Sequence, residues 1–486
     1  MNPSDGRNRY ATGTWLFLRA LAVIHFIAFG SLWLQLEGLI GPQGVLPAGG
    51  YLSAVREHLG GTAWAQLPTL FWWLGTDTAL HAVCALGLLS AGLLFAGIAP
   101  GACLAVLWVG YLSLCGVGQV FFNFQWDALL LETTFVALFV TPWAWLPWWR
   151  RTEPPRVARW LLVWLLFRLM FLSGAVKLAS GDATWATLTA LAHHYETQPL
   201  PTPLAWHAHH LPVWFHRLSC ALMFGIELLL PFFFWSPWRI LRHVAAFATI
   251  GLMLLIAITG NYTFFNLLTV ALCLPLIDDA CWQRLKLPLP ASPGFVPWHL
   301  TRWALWPAAA AIVLFTAIQA IPSVKRDWQP PAAFWKVAEV VHPFRSLNNY
   351  GLFMVMTTTR PEIVIEGSMD RRYWQTYEFR HKPGNLSREL TWVAPHQPRL
   401  DWQMWFAALG RLEHNPWMSA LCEDLLKNTP EVTALLAHNP FPEAPPRYLR
   451  AVRYEYRFTT REERRATGRT WERMPLDYYL APVALP

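Results

Sequence analysis

The sequence predicts a mainly α-helical fold, in which a polytopic bundle of about eight to nine transmembrane helices precedes an extracytoplasmic α+β, β-rich domain. The first observation is composition. Of 486 residues, 55% are hydrophobic, 15% are aromatic and only 14% are charged, which is far from the usage of a soluble domain. The second is a series of apolar segments long enough to cross about 30 Å of hydrocarbon. The third is a shift in composition near residue 340, after which the chain has the polarity of a soluble domain.

Nine apolar segments are predicted to span the membrane, or eight if the seventh and eighth, which are short and close together, do not cross separately. The segments are 15–36, 79–97, 102–122, 128–147, 157–177, 211–235, 241–258, 262–277 and 303–321. The predicted organisation is therefore a membrane domain over 1–322 with extracytoplasmic loops at 37–78 and 178–210, a linker over 323–339 and a soluble domain over 340–486.

Basic residues predict the orientation, because Lys and Arg near a span are retained on the cytoplasmic side. They cluster before span one and in the loops after spans four, six and eight. The clustered residues are Arg7, Arg9, Arg150, Arg151, Arg156, Arg159, Arg239, Arg242, Arg284, Lys286 and Arg302. Nine spans with a cytoplasmic N-terminus place all of them on one side, and the C-terminal domain in the lumen or periplasm. Topology thus accounts for part of the net charge of +8, and no nucleic-acid partner is expected.

Charged residues inside or at the edge of spans are candidates for function, since such groups are costly in a bilayer. Lys177 ends span five and faces the polar loop, which makes it the best single candidate for a working site. Asp127, just before span four, and Glu132, at its entry, lie in the outer third of the membrane, and Arg168 lies in the middle of span five. A buried carboxylate needs a partner or a raised pKa. Two interpretations stay open, a structural ion pair and a catalytic pair.

The loop over 178–210 is rich in histidine, proline and aromatic residues. Its imidazoles and nearby carboxylates are His193, His194, His207, His209, His210, Asp182 and Glu196. These are zinc or copper ligand types, but their spacing matches no metal motif, so no metal site is predicted. The prolines favour a stiff surface loop or an extended segment that is presented to a polypeptide client.

The cysteines argue against one function class. All seven are scattered, none forms a Cys-x-x-Cys pair, and most lie in apolar segments. A disulfide isomerase needs a paired thiol of low pKa, so direct disulfide exchange is not expected.

The soluble domain is predicted from short periodic segments. Strands are expected over 352–358, 362–367 and 374–380 as a meander, helices over 401–412 and 417–427, and a further strand over 447–459. Trp402 and Trp405 lie at helical spacing. They are interpreted as the core of the domain or its contact with the membrane, with a client-binding patch as the alternative.

Several long motifs resemble those of the lipase maturation factor family, in the same order, from about residue 14 to 460. They are Phe124-Gln-Trp-Asp127 with Leu-Leu-Leu-Glu132, Gly174-Ala-Val-Lys-Leu178 with Ser180-Gly-Asp-Ala-Thr-Trp185, His194-Tyr-Glu-Thr-Gln-Pro-Leu-Pro-Thr-Pro203, Thr259-Gly-Asn-Tyr262 with Phe264-Phe-Asn266, and Ala394-Pro-His-Gln-Pro-Arg-Leu-Asp-Trp-Gln-Met-Trp405. The resemblance implies a polytopic membrane protein that helps secreted dimeric lipases fold and assemble. The implied location is the endoplasmic reticulum membrane in animals, or the inner membrane for a bacterial relative.

Candidate client- or ligand-binding residues lie within or beside these motifs, and no cofactor is implied. These candidates are Gln125, Trp126, Arg168, Asp182, Trp185, Tyr195, Glu196, Asn261, Tyr262, Trp402 and Trp405.

A weaker similarity links the segment around Lys177 to the vitamin K-dependent gamma-carboxylase family, in which a lysine is thought to act as a base on the reduced quinone. By position that role falls on Lys177, and partial burial would make its neutral amine available. The alternative function is therefore an intramembrane enzyme acting on a quinone or lipid-like substrate, with Lys177, Glu132, Asp127 and His194 as catalytic candidates. Protein carboxylation is not expected, because the long luminal domain of that family is missing. A purely structural membrane scaffold is a third class, which the charged loops argue against.

Overall fold

The structure is a computed structural model that describes residues 9–145, 151–285 and 302–485. Arg7, Arg150 and Lys286 of the predicted basic clusters lie outside these ranges.

The first span is followed by four short helices within the predicted loop 37–78. The five helices are α1 (Ala11–Trp33), α2 (Leu36–Ile40), α3 (Ala48–Leu59), α4 (Ala63–Gln66) and α5 (Phe71–Leu74). Gly41 and Gly44 pack against the backbone of Glu37 so closely that a Cβ on either would lie within 2.6 Å of it, which explains the two glycines of this turn.

Four longer helices follow, and the loop over 178–210 then folds into three short ones. They are α6 (Asp77–Ala96), α7 (Pro100–Val117), α8 (Gln125–Val140), α9 (Arg156–Ala179), α10 (Ala183–Ala186), α11 (Ala190–Thr197) and α12 (Pro203–His209).

The rest of the membrane region begins with α13 (Val213–Phe224), which continues through a π-helical turn at Gly225–Leu229 and a 3₁₀ segment at Leu230–Trp235. The helices that follow are α14 (Arg239–Thr259), α15 (Phe265–Cys273), α16 (Asp279–Arg284) and α17 (Arg302–Val324). Further 3₁₀ turns lie at Gly60–Thr62, Gln119–Phe122, Leu274–Leu276, His342–Phe344 and Leu412–His414.

Seven helices in the described ranges are long and apolar enough to cross a membrane. They cover Ala11–Trp33, Asp77–Ala96, Pro100–Val117, Arg156–Ala179, Val213–Trp235, Arg239–Thr259 and Ala304–Val324. The two other predicted spans form shorter helices: α8 has 16 residues, and the apolar helix Phe265–Leu276 has 12 if its 3₁₀ end is included. Both pack inside the bundle, where neighbouring helices rather than lipid cover them. The prediction of a polytopic helical bundle is confirmed.

The C-terminal region contains five helices and six strands. The helices are α18 (Ala332–Val341), α19 (Arg399–Ala408), α20 (Trp417–Lys427), α21 (Pro430–Thr433) and α22 (Arg461–Thr467). The strands are β1 (Arg360–Ser368), β2 (Gln375–Thr376), β3 (Glu378–Phe379), β4 (Leu436–His438), β5 (Tyr448–Phe458) and β6 (Trp471–Val483).

The strands form a four-stranded antiparallel sheet in the order β2-β1-β5-β6 and a small β3-β4 pair. The predicted β-containing C-terminal domain is confirmed, and its helices at 401–412 and 417–427 correspond to α19 and α20. The strand predicted over 352–358 is wrong, because that segment forms turns. The long strand β6 was not predicted.

The bundle has two chemically different ends. At the end where α1 begins, the Tyr10 N–H donates to Glu153 at 3.1 Å and Arg239 pairs with Asp278 at 2.8 Å. The C-terminal region packs on the opposite end, where the backbone N–H of Gln397 donates to the Ser31 hydroxyl at the end of α1 at 2.8 Å. We call these the N-terminal end and the domain end. Asp127, Lys177 and the loop over 178–210 all lie at the domain end.

Candidate functional site

Asp127 at the start of α8 is held by an arginine of the C-terminal region. Arg399 donates from its two terminal nitrogens to the two carboxylate oxygens of Asp127, both at 2.9 Å, in a bidentate pair. The Tyr111 hydroxyl donates to the same carboxylate at 2.5 Å, and the Arg399 guanidinium lies 3.7 Å from the ring centre of Phe122. Arg399, Asp127 and Tyr111 are buried. A helix of the C-terminal region thus places its charge inside the helical bundle.

Glu132 forms a second buried cluster one helical turn deeper. Arg168 of α9 donates to one carboxylate oxygen, while the Tyr350 hydroxyl at 2.6 Å and the Asn348 backbone N–H at 2.9 Å donate to the other. Arg168 also donates to the Asn348 carbonyl at 2.8 Å. The segment that connects α18 to the sheet therefore completes an ion pair between two membrane helices. Arg168 and Glu132 thus form a buried ion pair.

Lys177 pairs with a residue that the sequence did not bring forward. Its Nζ lies 2.8 and 2.7 Å from the two carboxylate oxygens of Glu227, which stands in the π-helical turn after α13. The Trp185 ring centre is 5.2 Å away and the Met223 sulfur 3.7 Å away. Lys177 is only 4% exposed and Glu227 only 5%. The amine is thus enclosed by a carboxylate, an indole and a thioether rather than by Glu132 or Asp127.

The π-helical turn has a direct role in this pair. Gly174, one turn before Lys177 on α9, faces Leu228 and the Cβ of Glu227 so closely that a Cβ at Gly174 would lie 2.9–3.0 Å from them. Wide turns of this kind often occur at functional positions. Here the close approach lets the carboxylate reach across to α9.

Asp182 joins the loop after α9 to the C-terminal region. Its side chain caps α10 by accepting from the Thr184 N–H at 2.7 Å, and its other oxygen accepts from the Met356 N–H at 2.6 Å. Partial burial acts to raise the pKa of Asp182, but the hydrogen bonds from Met356 and Thr184 outweigh it and lower the pKa below its ordinary value. The Trp185 indole N–H donates to the Phe353 carbonyl at 3.0 Å.

His194, on α11, contacts a cluster of aromatic and polar groups from other segments. Its ring stacks on Tyr262 and meets Phe353 edge-on, with centres 6.3 and 5.0 Å apart. The Tyr262 hydroxyl donates to the Gln198 side-chain oxygen at 2.9 Å and lies 3.2 Å from His194 Nε2. Burial, with the nearby positive charge of Lys177, lowers the pKa of His194 to about 4. The imidazole is therefore neutral at pH 7.

The loop segment 196–200 is enclosed by the C-terminal region. Arg360 on β1 donates to the carbonyls of Glu196 at 2.6 Å and Pro199 at 2.8 Å, and to that of Gln198. The Trp405 indole N–H donates to the Thr197 carbonyl at 2.9 Å. A guanidinium that binds three carbonyls of one loop fixes the path of its backbone, so this segment is held in place by the C-terminal region.

Glu196, Tyr195 and Asn261 complete the fixation of the loop. A carboxylate oxygen of Glu196 accepts from the Phe458 N–H, and burial raises the pKa of Glu196. The Tyr195 ring packs beside Trp206 and the second half of β5. Asn261 uses both ends of its amide: it donates to the Leu200 and Thr391 carbonyls at 3.2 and 2.9 Å, and accepts from the N–H groups of residues 393 and 394 at 2.8 and 3.0 Å.

The two tryptophans of α19 are buried. Trp402 meets Trp126 edge-on with ring centres 4.6 Å apart, and Trp126 stacks on Phe124 at 4.5 Å. Trp402 is 3% exposed and Trp405 8%. Trp402 lies in the contact between α19 and α8, and Trp405 in the contact between α19 and the loop over 178–210. The Gln125 side-chain oxygen accepts from the Gly351 N–H at 3.4 Å.

Neither the histidines nor the cysteines form a metal or disulfide site in the described ranges. No group of three or more His, Cys, Asp or Glu side chains there is arranged to hold a metal ion. All seven cysteines are free, and six of them are buried.

The structure brings the sequence candidates together in one layer at the domain end of the bundle, which we call the junction. It consists of the buried ion pairs of Asp127, Glu132 and Lys177 and of the polar contacts between this end and the C-terminal region. The partners of these candidates were not predicted from the sequence. They are Glu227, Arg399, Arg360, Asn348 and Tyr350. Glu227 is an ionisable residue inside an apolar segment, and that signal alone could have identified it. The others lie in a polar region, where an arginine or tyrosine is unremarkable.

Comparison with known proteins identifies the family to which the chain belongs. The model for the lipase maturation factor transmembrane domain matches residues 12–284, and that for the lipase maturation factor C-terminal domain matches residues 346–481. Lipase maturation factor 2 from Homo sapiens is 37% identical over 97% of this chain and 82% of its own length. Lipase maturation factor 1 from Bos taurus is 36% identical over 99% of this chain and 92% of its own length. No solved structure matches the chain. This protein is a multi-pass membrane protein that belongs to the lipase maturation factor family.

Proposed function

We propose that this membrane-embedded maturation factor assists the folding or dimer assembly of secreted lipase-like proteins. The observation that carries the proposal is that both domains of the family match, in order, with relatives named lipase maturation factor 1 and 2. The client is inferred from those names.

The junction supports a role as a preorganised platform. Three buried ion pairs, at Asp127, Glu132 and Lys177, lie at the domain end, and two of them are completed by residues of the C-terminal region. A rigid surface loses little conformational entropy when a partner binds. We therefore propose that the candidate residues act by positioning the C-terminal region and the loop over 178–210 relative to the bundle, and that the client contacts the exposed surface of these two parts.

We propose that the N-terminus is cytoplasmic and that the C-terminal domain faces the lumen or periplasm. Arg159, Arg239 and Arg242 lie at the N-terminal end, opposite the C-terminal region, as expected if basic residues stay in the cytoplasm. A cysteine introduced at exposed Glu443 tests this in intact cells or sealed microsomes. In sealed microsomes, whose outer surface is cytoplasmic, a membrane-impermeant maleimide should label this cysteine only after detergent opens the vesicles. In intact bacterial cells the reagent should label it from the periplasm without lysis of the inner membrane. Labelling of sealed microsomes without detergent would reverse the orientation.

The geometry of Lys177 favours architecture over the enzymatic alternative. A lysine that acts as a base must offer a neutral amine to a substrate, whereas this amine is shared between both oxygens of Glu227. A reduced quinone therefore has no assigned place in the proposed function.

A secretion assay tests the proposal. A dimeric secreted lipase is expressed in cells that lack their own maturation factors, with and without this chain. We expect the chain to raise the lipase activity secreted per unit of lipase protein, and to raise the dimer fraction measured by sedimentation. D127N is expected to abolish this gain, while D477N, which changes an exposed aspartate of β6, should keep it. Equal specific activity and dimer fraction with and without the chain would overturn the proposed client class.

A further inference from the structure

A cavity at the domain end lies outside the junction. It has a volume of about 570 Å³ and lies between the short helices α4 and α5, the last turns of α7, and α18. Its lining is mainly apolar, and its wall is formed by Trp64, Trp73, Val109, Leu112, Val340 and Phe344. The volume lies within the range of roughly 300–1,000 Å³ that is typical of small-molecule sites.

A second cavity of about 360 Å³ adjoins the first and is more polar. The two share Gln66, Pro68, Leu112 and Glu339, so they form one continuous groove. The second part adds His342 and Arg345. One elongated site therefore has an apolar arm and a charged arm.

The apolar arm opens where lipid chains must lie. Val109 belongs to α7, which is one of the helices that can cross the membrane. Trp73 is 74% exposed and Val340 is 68% exposed, although both are large apolar side chains at the end of the bundle. Tryptophans at that depth are typical of the headgroup region. The groove is thus continuous with the lipid-facing surface.

Helix α18 has the character of an interfacial helix. One face, with Phe334 and Ala338, packs against Phe315 of α17, while Trp335, Val337 and Val340 on the remaining surface are exposed. An amphipathic helix that follows a membrane span and exposes such residues lies in the plane of the interface. It places its polar residue Glu339 beside the headgroups.

The charged arm carries one acidic and one basic side chain. Within residues 9–145, 151–285 and 302–485, neither Glu339 nor Arg345 forms an ion pair; Arg345 donates to the Phe122 carbonyl at 3.2 Å. A zwitterionic headgroup offers a phosphate for the guanidinium and an ammonium for the carboxylate. An anionic headgroup would leave Glu339 facing negative charge.

We propose that this groove binds one zwitterionic glycerophospholipid of the adjoining leaflet. An acyl chain fills the apolar arm between Trp64, Trp73 and Val340. The phosphate lies at Arg345 and the ammonium at Glu339. This site goes beyond the maturation function, since it requires neither a client nor any residue of the junction.

The test uses the full chain purified in detergent and exchanged into either dioleoylphosphatidylcholine or dioleoylphosphatidylglycerol. Native mass spectrometry then counts the lipids that remain bound after delipidation. We expect one retained phosphatidylcholine and much weaker retention of phosphatidylglycerol. V340W, which fills the groove, should lower retention of phosphatidylcholine by about tenfold. V337W is the matched control on the exposed surface of the same helix and should retain it like the unaltered chain.

A second variant separates the headgroup from the chain site. E339Q should weaken phosphatidylcholine binding and relax the discrimination against phosphatidylglycerol, with an unchanged melting temperature. Equal retention by V340W and the unaltered chain would overturn the proposal. Tighter binding of phosphatidylglycerol than of phosphatidylcholine by the unaltered chain would overturn the headgroup assignment, and a protein segment that occupies the groove in place of lipid would overturn both.

Discussion

Lys177 of α9 and Glu227 of the π-helical turn form a buried ion pair, with the Nζ 2.8 and 2.7 Å from the two carboxylate oxygens. The two residues are 50 positions apart, and each stands in a helix that is long and apolar enough to cross the membrane. Either charge alone would be costly at this depth. The pair is therefore a single structural unit rather than a lysine with an incidental neighbour.

Removing one member of this pair should destabilise the protein strongly. K177M or E227L leaves a buried charge without its partner, which costs about 3–5 kcal/mol, whereas replacing both residues with apolar side chains of similar volume is often neutral or stabilising. We expect each single variant to melt at a clearly lower temperature in detergent and the double variant K177M/E227L to recover. Circular dichroism melting measures this directly.

The same double variant separates architecture from catalysis. If Lys177 only stabilises the bundle, the recovered double variant should also recover client secretion in the lipase assay. A double variant that folds like the unaltered chain but secretes no active lipase would instead assign Lys177 a chemical role.

The bidentate pair between Asp127 and Arg399 predicts coupling between the membrane bundle and the C-terminal region. D127N leaves a buried guanidinium without a carboxylate, so we expect a loss of about 3–5 kcal/mol in stability and faster cleavage by protease after residue 323. D477N is the control: its pair with Arg453 is partly exposed, and such pairs contribute about 0–1 kcal/mol. Equal protease sensitivity of the two variants would show that the Arg399 contact does not hold the region in place.

The hydrogen bonds and the ion pair at Glu132 predict that variants of this cluster lose stability to different extents. Y350F removes one hydrogen bond to a buried carboxylate, a change worth about 1.5–3 kcal/mol, and E132Q should cost more because it leaves Arg168 unpaired. Y373F, at an exposed tyrosine of the sheet region, should change nothing. We expect the melting temperature to be highest for Y373F, lower for Y350F and lowest for E132Q. A Y350F protein as stable as Y373F would argue against the hydrogen bond from the Tyr350 hydroxyl to Glu132.

Sequence patterns predicted most of the bundle because long apolar segments have few folded alternatives. They failed where tertiary contacts replace local rules. Residues 352–358 have the composition of a strand, but the Met356 N–H donates to Asp182 and Phe353 adopts a positive φ of 56°, so the segment lines the junction as turns. Strand β6 contains Pro475 and Pro482, which interrupt the expected pattern, yet it pairs with β5 through several register shifts.

Within the candidate site, the sequence identified the ionisable residues of the membrane helices but few of their partners. Asp127, Glu132, Arg168 and Lys177 stand out because ionisable groups in apolar segments are rare. Their partners do not, apart from Glu227. Arg399 lies 272 residues after Asp127, in a region whose composition is that of a soluble domain, and no local pattern indicates that its guanidinium enters the bundle. Only the folded chain reveals which charges meet.

The imidazole of His194 predicts a pH dependence of stability. An unfolded histidine has a pKa near 6.5, while burial lowers the pKa of His194 to about 4. Between these values the unfolded state binds more protons, so this group's contribution is fully present above about pH 6.5 and is lost as the pH falls towards 4, by up to about 1.4 kcal/mol per pH unit. H194Q should flatten the decrease in melting temperature over this range relative to the unaltered chain. H58Q, at an exposed histidine of α3, is the matched control and should keep the original slope; an H194Q slope equal to that of H58Q would mean that another buried group dominates the acid response.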